Sequence, residues 1–136
     1  MAKVVAGGLA GGVVLLIWRA LFHAVVPEAA LCGAGVPPVW DLPARPLLRE
    51  LLGDVGAAMI AAWVLSRVPS GRRGRVWMAA ALGLLAWFTQ GFPLWNWHGA
   101  TAGFVLAEGI RQVTGWALAG GAIDAVMRLT DKGGPA

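Results

Sequence analysis

A chain of 136 residues that is 58% hydrophobic and 13% charged carries more apolar surface than one small soluble core can hide from water. Mean hydropathy is +0.69, and the net charge of +4 comes from basic residues that mostly flank apolar segments, which argues against nucleic acid as a partner. The lone cysteine, Cys32, excludes an intrachain disulfide and a Cys-rich metal site, so the composition points to an all-α, integral membrane four-helix bundle in one transmembrane domain.

The first span is expected over about residues 4–26. It opens on Gly7, Gly8, Gly11 and Gly12 and closes with Trp18, Arg19 and His23 near the far interface. Its apolar run is too long for a signal-peptide core, and no convincing small-residue cleavage site follows. The spacings Gly7-x3-Gly11 and Gly8-x3-Gly12 permit close approach of another helix, in the same bundle or in a second subunit. A Pro-rich loop then runs from Pro27 to Pro46, with Pro37, Pro38 and Pro43 ruling out a regular helix through most of it.

The second span is expected over 47–68, with Arg49, Glu50 and Asp54 in its first third. The link from Arg67 to Arg75 contains Arg72 and Arg73, and by the positive-inside rule it lies in the cytoplasm. A third span covers 76–92. Pro93 is expected to break that helix ahead of an aromatic turn, Trp95-Asn96-Trp97-His98-Gly99. The fourth span, 101–129, closes with Asp124, Arg128 and Lys132. Both termini and the arginine link then face the cytoplasm, and the Pro-rich loop and the Trp turn face outward. Trp40, Trp95 and Trp97 read as the outer aromatic belt, with a quinone or lipid-headgroup platform as the alternative.

The two halves show a faint internal repeat. Leu15-Leu16-x-Trp18 is matched by Leu84-Leu85-x-Trp87, and Leu48-x-Glu50-x3-Asp54-Val55 by Leu106-x-Glu108-x3-Gln112-Val113. Two repeated helical hairpins of the same orientation would produce it, and so would chance similarity between apolar helices.

Polar residues inside the spans carry the strongest functional signal, because a charge near a bilayer centre costs a few kcal/mol unless it is paired or faces a bundle interior. At about 1.5 Å of rise per residue, Asp54 and Glu108 fall roughly 10 Å below the outer surface, with Arg111 and Gln112 deeper. Glu108, Arg111 and Gln112 share one helix face, as do Glu50 and Asp54, while Arg19 and Gln90 reach the same depth from the other two helices. Arg19, Glu50, Asp54, Glu108 and Arg111 are expected to meet in a compensated polar cluster. Three arginines neutralise three acids, which favours a staple that fixes helix register over an ion site. His23 and His98 both fall near the outer interface, but no HxxxH or CxxC spacing accompanies them, so neither a metal nor a cofactor is expected. Walker loop, nucleophile elbow, HExxH, EF-hand and dinucleotide fingerprints are all absent from the sequence, so no catalytic residue is assigned.

The stretch from Gly7 to Trp18, the Trp95-to-Gly99 segment, and Leu106-Ala107-Glu108 with Gln112-Val113 and Gly115-Trp116 resemble a family of small bacterial four-helix membrane proteins. The resemblance implies the four-span topology and a bacterial inner membrane, and carries no activity with it. The first outer loop is shorter here than that family's usual one. The leading expectation is a non-enzymatic accessory or assembling component, in a homo-oligomer or beside a membrane-protein partner, with the lipid bilayer as solvent. The alternative is a small-solute, proton or ion transporter or channel using Asp54, Glu108 and Gln112. A third is an intramembrane redox or haem protein using His23 and His98.

Overall fold

A computed structural model describes residues 1–26, 44–68, 71–98 and 101–132, with side chains over 1–26, 48–68, 71–90 and 101–131. Within these residues the chain forms four α-helices and no strand: α1 (Ala2–Val25), α2 (Ala44–Arg67), α3 (Arg72–His98) and α4 (Ala102–Lys132). The Pro-rich loop, with Cys32 and Trp40, lies outside the described residues.

Helix ends follow local chemistry. Val26 is extended, at φ −79° and ψ 126°, as the residue before a proline must be, and its N–H still closes the last turn on the Phe22 carbonyl. Thr101 caps α4 by accepting the Phe104 N–H at 3.2 Å. Pro46 falls in the first turn of α2, where its missing N–H has no ladder partner to lose, so that helix begins at Ala44 rather than after the proline. Pro93 was expected to end the third helix; instead α3 continues through it to His98, and the Trp95–His98 stretch is helical. One proline deletes a single ladder bond, whereas stopping there would strand the last carbonyls of the helix.

The helices are ordered by small residues. α1 lies between α2 and α4, α4 also packs along α3, and α2 and α3 barely touch. Gly8 and Gly12 face α2 so closely that an added Cβ would sit 2.8 Å from the Cα of Met59 or of Val55. Gly7 and Gly11 face α4, where a Cβ on Gly11 would lie 2.9 Å from Ile123 Cδ1. The two glycine stripes therefore serve two different neighbours within one bundle. The core continues with Ala58, Ala61, Ala62, Ala79 and Ala119 around Leu15, Leu65, Trp116, Ile123 and Met127. Alanine and glycine here let backbones approach and leave the larger side chains pointing outward.

Outward they do point. Val5, Leu9, Val13, Ile17, Leu21 and Val25 repeat every four residues along the exposed face of α1, and large apolar side chains are exposed on the other three helices too. Among the described side chains no exposed charged residue falls within 5–26, 51–66, 74–90 or 101–127. The shortest of these bands spans about 24 Å of helix. By length and composition α1 is, among the described residues, the one helix apolar enough to cross a membrane unaided; α2 and α4 carry carboxylates, Arg111 and Gln112 that lower their hydropathy.

Candidate functional site

The charged residues missing from the mid-helix surface are turned inward, in two layers. The start of α1, the start of α3 and the end of α4 lie together at one end of the bundle, the basic end, since Lys3 meets Asp131 and Arg75 meets Asp124. The opposite end is the loop end.

Near the loop end, Arg19 leaves α1 and spans two carboxylates one turn apart on α2. Its Nη1 donates to Glu50 and its Nη2 to Asp54 Oδ1 at 2.8 Å. The i,i+4 spacing of Glu50 and Asp54 stacks them on one face, so one guanidinium reaches both. On α4, Arg111 grips Glu108 with both edges of its fork: Nε donates to Oε2 at 2.7 Å and Nη2 to Oε1. Gln112, 9% exposed, donates its amide to Glu108 Oε1 at 3.0 Å and to Gln90 Oε1 of α3 at 3.3 Å. Trp18, next to Arg19 on α1, donates to the Arg111 carbonyl, so the two groups lie at one level of the bundle and draw on all four helices. The structure thus brings together Arg19, Glu50, Asp54, Gln90, Glu108, Arg111 and Gln112, with His23 beside them.

The charge count differs from the expected one. Two arginines rather than three, Arg19 and Arg111, enter this layer among the described side chains. Two cations against three carboxylates leave a formal surplus of one negative charge. Asp54 Oδ2 and Arg19 Nε are buried there with no hydrogen-bond partner among the described residues.

The second layer, near the basic end, was not foreseen as a site. Asp124 is 1% exposed, and its two oxygens are taken separately: Oδ1 by Arg75 of α3 at 2.9 Å and Oδ2 by Arg128, one turn on along α4, at 2.8 Å. Sequence reading treated Arg75 as a topology marker and Asp124 as the close of a span. The available signal was the i,i+4 pair Asp124 and Arg128, with the acid two turns inside the helix end.

Two tryptophans join helices by the same device. Trp18 of α1 donates its indole N–H to the Arg111 carbonyl at 3.2 Å, and Trp87 of α3 donates to the Val105 carbonyl at 2.8 Å. Each ring lies over the glycine four residues beyond its acceptor, Gly115 and Gly109, where any side chain would collide with it. Trp63 and Trp77 are exposed near the basic end, with the Arg67 guanidinium 5.1 Å over the Trp63 ring. The side chains of Trp95, Asn96, Trp97 and His98 lie outside the described ones.

No family model, curated protein or solved structure matches this chain. Its chemistry is therefore read from its own geometry. Among the described residues, furrows run along the bundle surface between α3 and α4, between α1 and α4, and between α2 and α3, and their walls are almost wholly apolar. Among the described residues no three His, Cys, Asp or Glu side chains converge as a metal ion would require.

Proposed function

We propose that this chain is a polytopic protein of a bacterial inner membrane, with its basic end in the cytoplasm, acting without catalysis as an accessory or assembling component. The observation that carries the reading is the inverted distribution of polarity. Aliphatic and aromatic side chains cover the mid-helix surface, while Arg19, Asp54, Glu108, Arg111 and Asp124 are turned inward and ion-paired. Water would reward the opposite arrangement; a bilayer rewards this one. That α2 and α4 are less apolar than a lone span fits helices whose polar residues meet each other. α1 serves better as a permanent span than as a removable leader, since its loss would strand Glu50 and Asp54 without Arg19.

An accessory role is supported by what the polar groups are doing. In each layer one arginine ties two helices together, Arg19 to Asp54 and Arg75 to Asp124, while Arg111 and Arg128 neutralise carboxylates of their own helix, and the furrows open sideways into the apolar surround. The test is gentle extraction into nanodiscs, followed by mass determination of the intact assembly and identification of co-purifying chains. A stoichiometric membrane partner or a defined homo-oligomer is expected; a lone monomer that moves ions or protons would overturn the reading. Cysteines placed at 72 and 95 should label from opposite sides of the membrane.

A second reading, a proton or cation path through the loop-end layer, is favoured by one specific observation: the surplus carboxylate together with the unpartnered Asp54 Oδ2. Flux in proteoliposomes that disappears in Asp54→Asn while the protein stays folded would establish it.

A further inference from the structure

We propose that the furrow between α2 and α3 seats an acyl chain of one anionic phospholipid, whose phosphate is held by Arg67, Arg72 and Arg73. The inference rests on the membrane reading above and adds a ligand to it.

Where α2 and α3 fail to meet they leave a furrow of about 300 Å³, walled by Ile60 and Val64 on one side and Leu82 and Leu85 on the other, with Trp116 behind them. The hydroxyl of Thr89, also in the wall, is returned to its own helix at the Leu85 and Ala86 carbonyls. The furrow thus offers an occupant an almost wholly apolar wall, and a hydrocarbon chain meets its chemistry. The furrow is also concave, so a chain lying in it touches protein on more sides than a lipid against a plain helix face.

Its basic end supplies the head-group half. Arg67 stands one turn beyond Val64, and Arg72 and Arg73 open α3 across the short link. All three are exposed, and among the described residues none lies within ion-pairing distance of a carboxylate, whereas Lys3, Arg75 and Arg128 each have one. Arg67 is steered by its stack on Trp63, and Trp77 of α3 is exposed near the same end of the bundle, as indoles are at a head-group boundary. Three planar guanidinium forks beside an apolar channel fit a phosphate attached to a hydrocarbon chain. A zwitterionic head group would bring a cation of its own into the arginines, so the preference is for net negative lipid.

The test uses the full chain, delipidated in detergent and offered phosphatidylglycerol or phosphatidylcholine of identical acyl chains, with bound lipids counted by native mass spectrometry. One phosphatidylglycerol per chain is expected to be retained at least about tenfold more tightly than phosphatidylcholine. The triple variant Arg67→Gln, Arg72→Gln, Arg73→Gln should lose that preference, and Ala86→Phe, which fills the furrow, should lose the retained lipid. Ile60→Trp, at a more exposed position of the wall, repeats the second experiment if Ala86→Phe fails to fold. Arg49→Gln, at the loop end, should change nothing. Equal retention of both lipids, a preference that survives either the triple or the furrow-filling variant, or a second copy of the chain occupying the furrow would each overturn the proposal. Alkaline carbonate extraction separates the two failures: release of a folded chain from membranes sinks the membrane reading itself, while an embedded chain without the lipid preference sinks this inference alone.

Discussion

The two helical hairpins, α1–α2 and α3–α4, are each clasped by an arginine that crosses from the first helix to a carboxylate on the second, but at opposite ends. Arg19 clasps the first near its connecting loop; Arg75 clasps the second near its open ends. The difference lies in how completely each carboxylate is used. Asp124 has one guanidinium on each oxygen and almost no exposure, so that carboxylate is saturated, although Arg75 Nε is buried beside it with no hydrogen-bond partner among the described residues. Arg19 must divide itself between Glu50, which is 46% exposed at its side chain, and Asp54, which keeps one buried oxygen without a described partner. A saturated clasp can only hold. An unsaturated carboxylate also has room for a proton or a water, which is why the transport alternative attaches to Asp54.

Removing Asp124 tests the saturated clasp and should have the largest effect. Asp124→Ala leaves Arg75 half-buried without a counter-charge, and a loss of about 3–5 kcal/mol is expected in reversible unfolding from mixed micelles. Replacing Arg75 by Leu in the same chain should recover much of that loss, and if it does not, the cost lies outside the ion pair. Arg19→Gln comes next, at about 2–3 kcal/mol, because Glu50 and Asp54 are then left facing each other; adding Asp54→Asn should restore part of it. Glu108→Gln keeps shape and one acceptor, so about 1–2 kcal/mol is expected, and any flux should be unchanged in proteoliposomes. Lost flux with intact folding would move the loop-end layer from staple to path. Lys3→Gln removes an exposed pair and should shift stability by less than about 0.5 kcal/mol.

Much of this was legible from residue spacing. Glu50 with Asp54, and Glu108 with Arg111 and Gln112, announce shared faces by their i,i+3 and i,i+4 intervals, and the structure turns Asp54, Glu108, Arg111 and Gln112 inward, with Arg19 bonded to Asp54 and the exposed Gln90 bonded to Gln112. The glycine pairs of α1 announced close approach, but not to which helix, because one sequence stripe cannot identify the surface it meets. Arg75 was misread because a basic residue beside an apolar segment has two stable uses, anchoring at a head group or pairing inward, and only the partner across the interface decides. The indole bonds of Trp18 and Trp87 were hidden for a related reason: their acceptors are backbone carbonyls, which every sequence offers everywhere. Pro93 shows the limit of a local rule. A breaker signal weighs one lost hydrogen bond, while the chain weighs the whole helix end.

The position of α1 between α2 and α4 has a consequence for how the molecule is made. The Gly8 and Gly12 stripe finds its partner as soon as α2 emerges, but the Gly7 and Gly11 stripe waits for α4, the Trp18-to-Arg111 bond joining residues 93 apart. At a synthesis rate of about 5–20 residues per second, that wait lasts on the order of 5–20 s. Through it, one side of the oldest helix stands open, with Arg19 already fastened and two bare glycines unfilled. The bundle is completed by its last helix closing onto its first, and a nascent chain halted before Gly115 would present an unoccupied glycine seam to any helix that passes.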